Sequence, residues 1–196
     1  MNMNRELEIR ISGSGGQGLI LGARILSAAL MAEGLNVAQS QSYEPTSRGG
    51  MSRSDLVVSD GVVDYPLVTA LDYVVIMDQV AARASTDLIK PDAVVVVDST
   101  RVEESPPGKF NHFSFPLTEM ARKLGNIRIA NMIAMGVLLG ASAGRLCSFS
   151  SLERAVSEKA PERFCRLNLR AISEGYHLVN GGKIPQRETA IPGSNR

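Results

Sequence analysis

The sequence predicts an α/β fold built on one doubly wound, mostly parallel sheet, and three observations carry that expectation. The alternating run Ile9-Arg10-Ile11-Ser12 passes directly into Gly13-Ser14-Gly15-Gly16-Gln17-Gly18, with four glycines in six positions, and then into small and apolar residues at helical spacing. That order reads as strand, tight turn and helix. Residues 73–77 and 93–97 are continuous apolar runs of strand length, as in strands covered on both faces. The segment between them is long enough for a helical crossover. A chain of 196 residues with 44% hydrophobic content suits a single domain of this Rossmann-like type.

In chain order, Leu19, Leu21, Ile25, Leu26, Ala29, Leu30 and Ala32 mark a first helix that stops at Gly34, with Glu33 in its last turn pointing to solvent. A second strand comes next, over residues 35–40. Residues 41–53 are polar and rich in turn formers, which predicts a long loop. In a parallel sheet this loop leaves the carboxyl end of its strand and lies beside the glycine turn, where such folds bind ligands. Arg48 and Arg53 are there as candidates to meet phosphate or carboxylate, or as ordinary solvated charges. Residues 54–59 alternate as a strand ending in the turn Asp60-Gly61.

Asp78 and Asp98 end the two apolar strands, and each is predicted to cap the helix or turn after its strand. Residues 79–89 read as a helix halted by Lys90-Pro91, residues 101–109 as a surface excursion, and residues 110–115 as a last strand with His112 on its polar phase. Pro116 opens a helix that closes at Gly125. Residues 129–141 are apolar on nearly every side, so this helix is buried in the subunit or against another, with small residues where close contact helps. Asn131 is the one strongly polar side chain in it and is expected to tie the helix to a loop. An amphipathic helix over 151–159, capped by Ser150 or Ser151, is broken by Pro161, and a final helix over 164–180 is closed by Gly181-Gly182. Residues 181–196 form a polar tail expected to be disordered.

The glycine turn presents unpaired helix amides and a positive dipole end, which favours an anion. Gly13-x-Gly15-x-x-Gly18 fits the dinucleotide fingerprint, but Gln39-Ser40-Gln41 supplies no acidic residue at the end of the second strand to hold a ribose. No Gly-Lys-Ser/Thr closes the loop, so a Walker site is not indicated either. Net charge is +1, from 21 basic and 20 acidic residues, which argues against nucleic acid or an anionic membrane as partner. Cys147 and Cys165 stand far apart without a neighbouring histidine and read as structural thiols, not as metal or cluster ligands. No signal-peptide core or membrane-length apolar run is visible, and a cytoplasmic location is expected.

The glycine loop, Ser42-Tyr43 with Arg48-Gly49-Gly50-x-Ser52, Asp64-Tyr65-Pro66 and the Asn131-Met132 helix occur in an order and at spacings that resemble one family. It is that of the gamma subunits, or gamma domains, of 2-oxoacid:acceptor (ferredoxin) oxidoreductases. The resemblance runs from about residue 7 to residue 176, and it places a gamma-type domain at 7–180. It implies a subunit of an enzyme that oxidatively decarboxylates a 2-oxoacid to an acyl-coenzyme A and passes electrons to ferredoxin. Alpha, beta and, in some complexes, ferredoxin-like delta subunits are the implied partners; thiamine diphosphate, magnesium and iron–sulfur clusters would sit on them. This chain would then hold no catalytic or metal-binding residue, and would support assembly and coenzyme A contact. The implied contact residues are Gly13, Gly15, Gly16, Gln17, Gly18, Tyr43, Arg48, Gly49, Gly50, Ser52 and Asn131. The family commonly shows Tyr-Gly-x-Glu-x-Arg-Gly-Gly, whereas Glu44 and Thr46 stand here in place of the second glycine and the glutamate. Length and the Asp-Tyr-Pro segment are most similar to the 2-oxoglutarate type. Two other readings remain open on the residues alone: a stand-alone Rossmann-like nucleotide-binding oxidoreductase, and a scaffold without a ligand of its own.

Overall fold

The computed structural model describes residues 6–44, 50–63 and 65–181. Six strands form one sheet: β1 (Glu6–Ser14), β2 (Asn36–Tyr43), β3 (Met51–Ser59), β4 (Leu71–Ile76), β5 (Ile89–Asp98) and β6 (Asn111–Phe115), in the order β2-β3-β1-β4-β5-β6. β1, β4, β5 and β6 are parallel, as predicted, while β3 runs antiparallel to both β1 and β2. The sheet is therefore mostly parallel, with one reversed strand inserted beside its centre.

That strand corrects the expectation of a loop over 41–53. β2 extends to Tyr43 and β3 begins at Met51, so residues 41–43 and 51–53 of the polar stretch belong to a paired hairpin. Polar residues are tolerated because β2 is an edge strand, half-exposed along its length, where β propensity and burial no longer agree. The segment still lies beside the glycine turn, through antiparallel pairing and not through a parallel crossover. The Gly15 amide donates to Gly50 O at 3.1 Å. Glu44 keeps a negative φ, as the described non-glycine residues with positive φ are Asp92 and Ala143. Its carboxylate accepts from the Met51 amide at 3.2 Å, closing the hairpin mouth.

Six helices complete the described chain: α1 (Leu19–Ala32), α2 (Gln79–Ala82), α3 (Leu117–Lys123), α4 (Ala130–Ala141), α5 (Phe149–Lys159) and α6 (Glu162–Asn180). They cover the sheet unequally. One face carries Ile9, Ile11, Tyr73, Val75, Val94 and Val96 against α1, α3, α4, α5 and α6 in the main core. The other face, with Val57, Val74, Ile76, Val95 and Val97, is roofed by α2 and loop residues such as Val68 and Val102. The predicted helix over 79–89 is four residues long, then a 3-10 turn at Thr86–Leu88, and Lys90 and Pro91 belong to β5. Asp78 caps α2, its Oδ1 accepting from Val80 N at 3.4 Å.

α4 is buried on all sides within the chain, chiefly by α6, which runs parallel to it. Small residues at Gly136, Gly140 and Gly175 let the two backbones touch: a Cβ on Gly136 would overlap the Ile172 carbonyl, and one on Gly175 the Ile133 carbonyl. The α5 cap is Ser148 rather than Ser150 or Ser151, its Oγ accepting from Ser151 N at 3.1 Å. Glu33 does not point free into solvent. Its Oε1 accepts from Ser148 N at 2.9 Å, and bonds from Ser151 and Ser148 at the α5 N-terminus hold its carboxyl below the ordinary carboxylate range. Gly181 closes α6 with φ 58°, while the predicted tail from residue 182 on lies outside the described residues.

Candidate functional site

The site grows from the end of β1. Once that strand is clamped between β3 and β4, the chain must reverse within a few residues to start α1 on the main helical face. Gly16 and Gly18 supply the left-handed turns, with φ 87° and 73°. Gln17 braces the turn from inside: its Oε1 accepts from Ser14 N at 2.8 Å and its Nε2 donates to Met77 O at 2.9 Å, tying β1 to the end of β4. Gly13 has no room for a side chain, because a Cβ there would run into the Gln17 amide and Met77. α1 then starts without a side-chain cap. Among the described residues nothing accepts from the amides of Gly16, Gln17, Gly18 or Leu19. Unpartnered amides and the positive end of the α1 dipole thus lie at this turn.

Asn131 ties α4 to this loop as expected, its Nδ2 donating to Gly18 O at 2.8 Å across 113 residues of sequence. Asn131 Oδ1 has no partner among the described residues, although the residue is only 2% exposed. Gly50 and Ser52 join the cluster, Gly50 through Gly15 and Ser52 by pairing opposite Gly13. Tyr43 pairs with Ser52 on its far side, which places it two strands, about 10 Å, from Gly13, with its ring largely exposed. Arg48 and Gly49 lie outside the described residues. Arg53 lies within β3 and turns to the thin face, its Nε 4.0 Å from Asp55 Oδ2.

Two cavities open around the turn, and both are lined by Gly16 and Arg128. One, of about 180 Å³, includes Gln17, Arg101 and Thr118 along with Met77 and Ile127. The other, of about 190 Å³, runs between α1, α4 and α6 and includes Asn131, Phe164 and Asn168. Arg101 is anchored by Asp78, whose Oδ2 accepts from its Nη2 at 3.0 Å and from Ser14 Oγ at 3.1 Å. Asp98 is occupied in closing the next crossover, accepting from Thr118 Oγ1 at 2.5 Å and Thr118 N at 3.1 Å. No sequence motif marks Arg101, Arg128, Thr118 or Asn168. They come from separate parts of the chain, and only the strand order brings them to one edge. A larger cavity of about 510 Å³, lined by Leu7, Asp72, Asp92 and Arg145, opens at the opposite edge, away from the glycines.

Cys147 is buried, and burial, followed by the charge of Glu33, pushes its thiol up to about 12, so it is inert at neutral pH. Cys165 is half-buried and His112 exposed. Among the described residues no group of three or more His, Cys, Asp or Glu side chains is placed to hold a metal ion, and no helix is long and apolar enough to cross a membrane.

Fold and site together define an α/β domain with a glycine turn at the carboxyl edge of its parallel strands. The chain belongs to the pyruvate ferredoxin/flavodoxin oxidoreductase family, whose model matches residues 8–178. It is 40% identical over 137 residues to the 2-oxoglutarate synthase subunit KorC of Archaeoglobus fulgidus, covering 69% of this chain and 71% of that one. The KorC subunit of Methanothermobacter marburgensis is 35% identical over 184 residues, covering 90% and 98%. Among solved structures, the gamma subunit of a keto/oxoacid ferredoxin oxidoreductase from Geobacter sulfurreducens superposes with a TM-score of 0.80 at 35% identity, covering 91% and 99%. The family resemblance read from the motifs is thereby borne out, and a stand-alone nucleotide-binding oxidoreductase is not favoured.

Proposed function

We propose that this chain is the gamma subunit of a multi-subunit 2-oxoglutarate:ferredoxin oxidoreductase, an enzyme that forms succinyl-coenzyme A and reduces ferredoxin. Its relatives at 35–36% identity, matched nearly end to end, are 2-oxoglutarate synthase subunits. In this reading thiamine diphosphate, magnesium and the iron–sulfur clusters belong to alpha, beta and ferredoxin-like partner subunits in the cytoplasm. The present chain contributes assembly and an anion-binding edge for coenzyme A.

The observation that carries the last point is that Gly16, Gln17 and Gly18, whose amides are free among the described residues, line two adjoining cavities together with Arg101 and Arg128. The donor set fits the group. Amides and guanidinium groups suit phosphates, and a partly apolar channel suits the uncharged remainder of a coenzyme. The chain's own share is to bind and orient.

Affinity purification of the tagged chain from its host tests the reading. Recovery of thiamine-binding and ferredoxin-like subunits, with coenzyme A-dependent oxidation of 2-oxoglutarate in the eluate, is the expected result. A chain that emerges alone and retains NAD or a flavin would overturn it. Within the recovered complex, Arg128→Ala is expected to raise the KM for coenzyme A about tenfold while leaving the KM for 2-oxoglutarate unchanged.

A further inference from the structure

The roof of the thin sheet face carries apolar side chains that the glycine turn does not use. Between β3 and β4, Val62 is 81% exposed, Tyr65 62% and Leu67 50%. Among the described residues, three of the nine large apolar side chains so exposed fall within these six positions, a density that marks a surface covered by another protein. Val80, on α2, adds a fourth to the same roof.

The loop is fastened at both ends. Gly61 O accepts from Asn36 Nδ2 at 2.8 Å, and Gly61 N donates to Ser59 Oγ at 3.0 Å. At the far end the carboxylate of Glu8, 7% exposed, accepts from Thr69 N, from Thr69 Oγ1 at 2.9 Å and from Ala70 N at 2.6 Å. Between the two, Val63 and Val68 pack on the thin-face core. Burying a carboxylate is costly unless it is well bonded, and these bonds of Glu8 all go to the loop, so its burial serves to fix the loop's path. Tyr65 and its aliphatic neighbours are thereby presented with little freedom left to lose, which is how an aromatic anchor gains affinity for a partner.

The position of the domain's ends indicates what covers this roof. β1 begins at Glu6, paired with Ser59 just before the loop. α6 closes with Asn180 against Gly140, close before Ala143, which lines the large cavity together with Leu7. Both ends therefore lie at the amino edge of the parallel strands, as the loop does. In the ketoisovalerate oxidoreductase subunit VorA of Methanothermobacter thermautotrophicus, 30% identical over 171 residues, the stretch matching this chain makes up 36% of a longer polypeptide. A neighbour joined through either end of such a domain emerges beside Val62, Tyr65 and Leu67.

We propose that Val62, Tyr65 and Leu67, with Val80, form the docking surface for the partner subunit equivalent to the rest of that longer polypeptide, and that the Tyr65 ring seats in an apolar pocket of that partner. The inference rests on the reading of this chain as one subunit of a multi-subunit oxidoreductase.

The test places a photo-crosslinking residue in the tagged chain within the purified complex, as Val62→p-benzoylphenylalanine, which leaves the Tyr65 anchor in place. Met31→p-benzoylphenylalanine, at a side chain 60% exposed on α1, is the control. Mass spectrometry is expected to find position 62 bonded to the subunit equivalent to the rest of the longer polypeptide, and position 31 not. A bond from position 62 to a second copy of this chain, no bond in an intact complex, or equal bonding from both positions would overturn the surface. Independently, Tyr65→Ala with Leu67→Ser is expected to lower recovery of that partner at least tenfold, whereas Tyr65→Phe, which keeps the ring, retains it. The cross-link uses neither variant, so a double variant that fails to fold leaves it decisive. Undiminished recovery with a folded double variant would overturn the surface and leave the subunit reading standing. An unaltered chain that recovers no partner would overturn both.

Discussion

Arg10 sits in the middle of β1 on the thin face of the sheet, and its bidentate pair with Asp55, at 2.7 Å through both Nε and Nη2, is buried to within a few per cent. Ser85 accepts from its remaining Nη1 at 3.1 Å. The desolvation of such a pair consumes most of its Coulombic gain, so its removal as a unit costs little, whereas removal of one partner strands a buried charge. Arg10→Met is therefore expected to destabilise by about 3–5 kcal/mol in urea denaturation, and Arg10→Met with Asp55→Leu to recover most of the loss. Arg53, 4.0 Å from Asp55, softens the single variant only slightly. At Cys147 the burial that keeps the thiol protonated also blocks reagents. A thiol-specific reagent at pH 8 should modify Cys165 first and Cys147 only on unfolding, and prompt labelling of two thiols in the native chain would contradict this. Several single-residue roles were legible in the sequence, because a strand end, a helix start or a lone polar side chain in an apolar run constrains what a residue can do. Asp78 as a cap and Asn131 as a tie are of this kind. The Arg10–Asp55 pair was not, since alternation alone cannot distinguish a polar residue facing water from one facing a buried partner on the next strand.

Elements meet where side chains are missing as much as where they are present. The α4–α6 contact depends on Gly136 and Gly175, and at Gly136 an added Cβ would also fall 2.8 Å from Tyr176 N. Backbone cannot yield there as a flexible side chain would, so Gly136→Ala is expected to cost about 2–3 kcal/mol. Gly15→Ala is the control: among the described residues a Cβ at Gly15 meets nothing within 4 Å and its φ is not positive, so thermal stability should stay unchanged. Glu33 links two elements by charge, closing α1 while it accepts from the Ser148 amide and the Ser151 side chain at the α5 N-terminus. Its folded pKa is lowered, so the stability it contributes is present above the ordinary carboxylate value of 4.5 and is lost as pH falls from there through the folded value. Glu33→Gln should cost ~0.5 kcal/mol at pH 7, a small figure because the group is largely exposed. The difference from the parent should vanish at the acid end of a pH series of melting curves. Helix boundaries were largely legible because glycine, proline and apolar spacing mark them. The β2–β3 hairpin was not, because edge pairing satisfies backbone groups without demanding apolar side chains.

At the scale of the whole molecule the sheet is unevenly protected. Five of the six described helices stack on one face, and α2 with its flanking loops covers the other. The strand order puts β1, β4 and β5 inside and leaves β2 and β6 at the edges. The sequence indicated a mostly parallel sheet because residues 73–77 and 93–97 are apolar throughout, but it carried no sign that β3 runs backwards, since residues 54–59 alternate equally well in either direction. Strand direction is decided by connection length, and the short hairpin from β2 can only return antiparallel. This arrangement predicts how the molecule opens. Amides whose hydrogen bonds lie between two buried neighbours exchange only on global unfolding, while those at an edge exchange by local fraying. Hydrogen exchange should therefore be slowest at residues 9–12, 73–76 and 94–97, and faster by orders of magnitude in β2 and β6. In the assembled complex, slowing should appear at the glycine turn and the start of α4 when coenzyme A is added. Protection gained instead only around Asp72 and Arg145, at the opposite edge, would move the binding site to the larger cavity and leave the glycine turn as a means of packing α1 on the sheet.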